Sequence, residues 1–295
     1  MVSLVTMSAP HNPYLTYVSS LAEMVHAGKQ FPLGSAPIPA HPPVADDAPR
    51  ALIFSPHPDD ECIIGGLALR LQREAGYRVV NVAVTQGSNK ARQQGRWDEL
   101  TKACAYLGFD LVQTVPGGLE RINAGTRIAD PPHWAACVDV IARILAEQQP
   151  AVVFFPHETD WNSSHIGTYH LLVDALGRQG AGFACHVVET EFWGAMATPN
   201  LMVESSVQDL ADMMTALSFH VEEVRRNPYH LLVPPWMQDN VRRGGEVVGG
   251  QGGAAPDFMF ATIYRLREWK DGALNYRYDG GRILAAGATP VTLFA

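Results

Sequence analysis

The run Ser55-Pro56-His57-Pro58-Asp59-Asp60-Glu61 follows directly on the apolar stretch Ala51-Leu52-Ile53-Phe54. An apolar run of strand length that ends in a proline-flanked cluster of His, Asp and Glu reads as a buried parallel strand with polar groups at its C-terminal end. Open α/β sheets bind their ligands along that edge. His57 and Asp60 stand three apart, so a chain that turns into a helix here lets both converge on one ion while Asp59 points elsewhere. One imidazole and one carboxylate are two of the three protein ligands of a catalytic zinc, with a fourth position left for water. Asp59 is then free to act as a base. The blander alternative is that Asp59, Asp60 and Glu61 cap the following helix, because acids favour a helix N-terminus. Capping explains neither the His at a strand end nor the proline on each side of it.

A second cluster repeats the pattern. Ala151-Val152-Val153-Phe154-Phe155 reads as a strand buried on both faces and runs into Pro156-His157-Glu158-Thr159-Asp160-Trp161-Asn162-Ser163-Ser164-His165. Two strands of one parallel sheet end on the same edge, so His165, 108 positions after His57, can reach the same ion from the start of a helix over 166–178. His57, Asp60 and His165 would then form a His₂Asp zinc site open to water.

The elements that must carry these clusters are legible in part. Tyr14, Leu15, Val18, Leu21, Ala22 and Val25 recur at helical spacing and predict an amphipathic helix over 14–28, outside the core. A proline-rich stretch over 31–49, including Pro42-Pro43, predicts an extended linker. Beyond the first strand, a helix over 63–76 closed by its glycine, a buried strand over 78–85 and a helix over 90–107 ending at Gly108 open a βαβ unit. A third strand over 111–115, a glycine-bearing loop over 116–126 and a helix over 133–149 lead to the second cluster. The last third is predicted to hold strands near 187–192 and 258–266, a helix over 207–225 containing His220, and a mobile glycine-rich loop over 244–253. The expected fold class is α/β, a Rossmann-like and mostly parallel sheet with helices on both faces. The expected organisation is 1–49 as N-terminal helix and linker, 50–225 as catalytic core, and 226–295 as an extension packed on the core.

Composition narrows the partners. The 295 residues are 47% hydrophobic and 18% charged with a formal net charge of −8, an ordinary globular balance whose acidity argues against nucleic-acid or anionic-membrane surfaces. Cys62, Cys104, Cys137 and Cys185 form no C-x-x-C pair and sit in apolar contexts, which predicts buried free thiols and a reducing compartment. No stretch reaches ~18 apolar residues and no signal-like N-terminus is present, so the expectation is a cytoplasmic protein acting on a small molecule, with a homo-oligomer left open. No G-x-G-x-x-G follows a strand, which counts against a dinucleotide cofactor.

Pro56 to Glu61 resembles in full the (A/P)-H-P-D-D-E motif of the LmbE/PIG-L family of zinc-dependent N-deacetylases. Thr85-Gln86-Gly87, Arg96 with Glu99, and Leu107-Gly108 are similar to that family's next signature, Pro156-His157 and Asp160 to His165 to its third, and Ala216-Leu217 with His220 to a late one. The resemblance covers about residues 50–225. It implies zinc on His57, Asp60 and His165, Asp59 as general base and then acid, and an N-acyl substrate, usually an acetamide on a glucosamine-like sugar. Arg96 and Asp160 are the candidate substrate-binding residues, with orientation of a metal ligand as the other role open to Asp160. Asn162 stands where the family has a His that polarises the substrate carbonyl, and Ser164 where it has an Asp, so the oxyanion would be met by zinc and the Asn162 amide. Two alternatives stay open. One is hydrolysis of a larger amide against an aromatic wall of Trp161, Trp193 and Trp236, and the other is a non-catalytic metal- or sugar-binding homologue.

Overall fold

The computed structural model describes residues 12–295. Alternate residues of β1 (Arg50–Ser55) face opposite ways, Ala51 and Ile53 into one buried cluster and Leu52 and Phe54 into another. That two-sided burial is what a continuous apolar strand requires, and it makes β1 the centre of the sheet. Parallel strands flank it, with β2 (Arg78–Ala83) and then β3 (Asp110–Gln113) on one side, and β4 (Val152–Pro156) and β5 (Cys185–Thr190) on the other. The order β3-β2-β1-β4-β5 reverses direction between β1 and β4. The C-terminal ends of those two strands therefore border the crevice where doubly wound sheets bind ligands.

Helices cover both faces. Against Ala51 and Ile53 pack α2 (Gly66–Ala75) and α3 (Gln93–Leu107), and against Leu52 and Phe54 packs α5 (Pro131–Gln148), preceded by the short α4 (Ala124–Ala129). On that second face α6 (Ser163–Leu176) adds Leu171, Leu172 and Leu176. Gly76 and Gly108 end α2 and α3 in the left-handed conformation, as the sequence predicts. The amphipathic N-terminal helix forms as α1 (Pro13–Gly28) and lies outside the core, with only Gly28 buried. A β-carbon at Gly28 would stand 2.6 Å from Leu231, so α1 is set directly against the helix that begins at Tyr229.

The C-terminal third departs from the expectation in three ways. First, 207–225 is not one helix: α7 (Val207–Leu217) stops, the chain turns through Ser218–His220, and α8 (Val221–Arg226) starts with His220 at its N-cap. Second, 244–253 is not simply a loop, because α9 (Tyr229–Val247) runs into it. Gly244 lets α9 rest on the sheet, since a β-carbon there would meet Met202 Sδ at 2.5 Å. Third, the segment 226–295 enters the sheet itself, β7 (Ala261–Lys270) lying antiparallel between β5 and the unpredicted β6 (Leu201–Glu204). The hairpin partner β8 (Ala273–Tyr276) and the edge strand β9 (Arg282–Leu284) complete nine strands among the described residues. Arg70 of α2, 1% exposed, donates to the carbonyls of Glu204, Ala285, Ala286 and Ala288 and pairs with Glu74, which ties the C-terminal segment to the first βαβ unit.

Candidate active site

After β1 the chain makes a tight turn that places four polar side chains within one span. The Asp60 Oδ2 accepts from the His57 backbone N–H at 2.8 Å and stands 3.5 Å from His57 Nδ1. From the second cluster, His165 in the first turn of α6 brings its Nε2 to 3.4 Å from the same oxygen. Asn162 sets that turn: its Oδ1 accepts from the Ser164 N–H as the N-cap of α6. The helix thus begins at 163, three residues before the predicted start, and carries His165 inward.

The three groups fit a zinc ion on two grounds. Ligand atoms around a tetrahedral zinc at ~2.0–2.1 Å stand ~3.3 Å apart, and the N···O separations of 3.4 and 3.5 Å match that spacing. His165 is completely buried, yet neither ring nitrogen has a hydrogen-bond partner. A buried orphan imidazole is costly unless something else ligates it. Burial alone would push the Asp60 carboxyl up, but the nearby imidazoles of His165, and then of His57, hold it well below the usual range.

Asp59 stands apart from that cluster. It is buried with φ 116°, a left-handed conformation that is strained for a non-glycine residue. Burial, and then the neighbouring Asp60, raise its carboxyl well above the ordinary range, with Arg96 opposing. Its N–H donates to Glu61 Oε2, and Glu61 Oε1 accepts from both His220 Nε2 at 2.7 Å and Cys62 Sγ. Glu61, Cys62 and His220 also stand close enough to be read as a metal group. Their donors and acceptors already satisfy one another, however, and none lines the cavity. Glu61, expected at most as a cap, is thus the bracket that holds the Asp59 backbone.

The structure places the two candidate substrate-binding residues differently: Arg96 lines the cavity and Asp160 does not. Asp160 does not face the cavity. It is 1% exposed, accepts from the backbone N–H groups of Asn162, Trp193 and Gly194, and its Oδ1 lies 3.6 Å from His165 Nδ1. Asp160 therefore stands behind His165, the place from which a carboxylate would orient a metal-bound imidazole. Arg96 makes no pair with Glu99; it donates to the Pro58 carbonyl at 3.0 Å and lies 4.0 Å from Asp59 Oδ2.

These residues floor a cavity of about 430 Å³. Asn162, Arg96 and Ser88 line it, as do Glu223 and Arg226, which pair with each other. The far side is apolar: Phe192 and Trp193 after β5, and Tyr229, Leu232, Val233 and Trp236 of α9. Trp193 and Trp236 belong to the predicted aromatic wall, whereas Trp161 is 82% exposed and lies outside it. Tyr229, Leu232 and Val233 escaped the sequence reading because Pro234-Pro235 breaks the helical pattern. The i, i+3, i+4, i+7 spacing of 229, 232, 233 and 236 was the available signal. The four cysteines are buried and free, and no helix among the described residues is long and apolar enough to cross a membrane.

An α/β sheet with a His, Asp, His cluster at its switch point defines the class, and the sequence match agrees with it. Residues 52–176 match the family model of PIG-L, the GlcNAc-PI de-N-acetylases, and form a PIG-L (LmbE-like) domain. No curated protein matches the chain. Among solved structures, the 4-carboxy-2-hydroxymuconate hydratase GalB of Pseudomonas putida KT2440 is similar with a TM-score of 0.54 and 18% identity, over 74% of this chain and 95% of its own. The N,N'-diacetylchitobiose deacetylase of Pyrococcus horikoshii gives 0.53 and 15%, over 88% and 94%. A deacetylase of the teicoplanin biosynthesis pathway gives 0.53 and 17%, over 75% and 99%. At such identities the likeness is one of fold. A hydratase and deacetylases share it, so the reaction must be argued from the side chains.

Proposed function

We propose that this chain is a zinc-dependent hydrolase that removes an acetyl or other acyl group from the amide nitrogen of a small molecule, in the class of N-acetylated amino sugars and their relatives. The observation that carries the reading is the convergence of His57, Asp60 and His165 on one point beside the non-ligating Asp59, at the floor of one cavity. The PIG-L domain over 52–176 supports the reaction type. Zinc bound by the three residues polarises the acyl oxygen and acidifies water.

The remaining work falls to the chain's own groups. Asp59 takes the proton from the attacking water as the carbon–oxygen bond forms, and returns it to the amide nitrogen as the carbon–nitrogen bond breaks, giving a carboxylate and an amine. Its carboxylate is held for that task by Arg96 on one side and by the Glu61 bracket on its backbone. Asn162 spends its Oδ1 on the α6 cap, which leaves the Nδ2 amide free to donate to the acyl oxygen as charge develops there. Asp160 fixes the ring of His165.

Elemental analysis tests the metal. The purified chain should hold about one zinc, lost in His57→Ala and in His165→Ala, since a three-ligand site does not survive the loss of a ligand. Acetate release from N-acetylated sugars should vanish with a chelator and return with zinc. Unchanged zinc in both variants, or release indifferent to chelation, would sink the proposal.

A further inference from the structure

The cavity is two-sided, and the half that the chemistry does not use is apolar. The first two turns of α9 present Tyr229, Leu232, Val233 and Trp236 along one stripe, and Phe192 and Trp193 close the gap between that stripe and His165. Phe192 lies edge-on to the His165 ring with centroids 4.7 Å apart, so the apolar surface begins at the metal ligands themselves. Trp193 meets Tyr229 edge-on at 5.6 Å. Its backbone N–H is held by Asp160, the same carboxylate that backs His165. Wall and ligand are thus built on one support.

Two features say that this wall awaits a ligand. Trp193 and Leu232 remain 52% and 49% exposed, although an amphipathic helix ordinarily turns such a stripe to the core. Several polar groups at the cavity are already engaged by the protein itself. Arg96 is held by Pro58 and Asp59, Glu223 and Arg226 by each other, and the Asn162 Oδ1 by the α6 cap. Ser88, the Asn162 Nδ2, the Tyr229 hydroxyl hydrogen and the indole N–H groups of Trp193 and Trp236 remain, the last three carried by the aromatic wall itself. Pockets of this size bury most of a ligand, orienting it with few polar contacts while apolar walls supply the affinity.

On the footing of the amide-hydrolase reading, we infer that the substrate carries an apolar body, aliphatic or aromatic, next to the scissile amide, and that Leu232 and Trp236 select it. The apolar body is supplied either by the acyl chain or by the amine. Three probes separate these sources: N-acetylglucosamine, N-hexanoylglucosamine and N-acetylphenethylamine. Their binding is measured by calorimetry on zinc-loaded Asp59→Asn protein, where turnover does not interfere, and their hydrolysis on the unaltered chain. Each buried methylene contributes roughly fourfold in affinity, so the four that hexanoyl adds to acetyl should tighten binding by at least ~10-fold if the acyl chain lies on the wall. A gain of that size for N-acetylphenethylamine places the amine there instead.

Leu232→Ser and Trp236→Ala should narrow the preferred probe's advantage over N-acetylglucosamine to within ~3-fold. Leu232 is half exposed, so its replacement leaves folding intact and keeps the test decisive if the Trp variant misfolds. If N-acetylglucosamine binds as tightly as both other probes, or if the advantage survives Leu232→Ser, the inference is overturned while the hydrolase reading stands. Tight binding of an apolar amide that the unaltered chain never cleaves would have the reverse meaning, upholding the wall and removing the reaction.

Discussion

At the scale of single residues, Asp59 and Asp60 show how neighbours of one type take different tasks. Asp60 Oδ2 sits between two imidazoles, whereas Asp59, turned by its positive φ, faces Arg96 and the cavity. Replacing Asp59 by Asn keeps the volume and the hydrogen-bonding reach but removes proton acceptance, so kcat should fall ~10²- to 10⁴-fold with zinc content unchanged. Near-native turnover on a verified substrate would show that Asp59 is not the base. Asn162→Ala tests the oxyanion contact in the same assay: kcat and kcat/KM should drop together by ~10- to 10³-fold, the pattern of an interaction made in the transition state. An effect on KM alone would make Asn162 a substrate-binding residue. The cluster of His57, Asp60 and His165 was legible because its members fall in two runs of ligand-type residues, each following an apolar strand. The Asp160 position was not, because the sequence shows a carboxylate near a ligand without showing which way it points.

Elements rather than residues account for most of what the sequence concealed. The apolar periodicity over 207–225 continues across the break at Ser218–His220, so one helix was predicted where α7 and α8 stand. The break has a consequence for the site: it delivers His220, buried as the α8 N-cap, to Glu61, 159 positions earlier in the chain. His220→Ala leaves the Glu61 carboxylate buried with one donor fewer, an unsatisfied group costing about 1–3 kcal/mol, and frees the Asp59 backbone. Chemical denaturation should show that loss, and kcat should fall with KM little changed. His220→Gln, whose side-chain N–H reaches about as far, should recover most of both. If Gln and Ala behave alike, the hydrogen bond to Glu61 is not what positions Asp59. The helix α9 was hidden for a local reason, since Pro234-Pro235 removes two helical donors and reads as a stop, while the packing of Gly244 on Met202 holds the helix together beyond it.

For the molecule as a whole, the parallel half of the sheet was readable because strands buried on both faces are continuous apolar runs. The antiparallel half was less so: β6 and β9 are short, and β7 comes from the far end of the chain. The candidate metal site draws on both sides of the switch point between β1 and β4, with His57 and Asp60 following β1 and His165 following β4, 108 positions after His57. An ion bound there bridges elements that separate on unfolding, so it stabilises the folded chain by mass action. At a free zinc concentration ~100 times Kd the gain is about 2.7 kcal/mol, which for a chain of this length corresponds to a Tm shift on the order of 5 °C. Thermal unfolding with and without a chelator should display that shift in the unaltered protein and in Asp59→Asn, which keeps all three ligands. His165→Ala should unfold at the same temperature in both conditions. The comparison needs no substrate, so a chelator-insensitive Tm in the unaltered chain together with an equally insensitive His165→Ala would argue against zinc at this site whatever the enzyme proves to cleave.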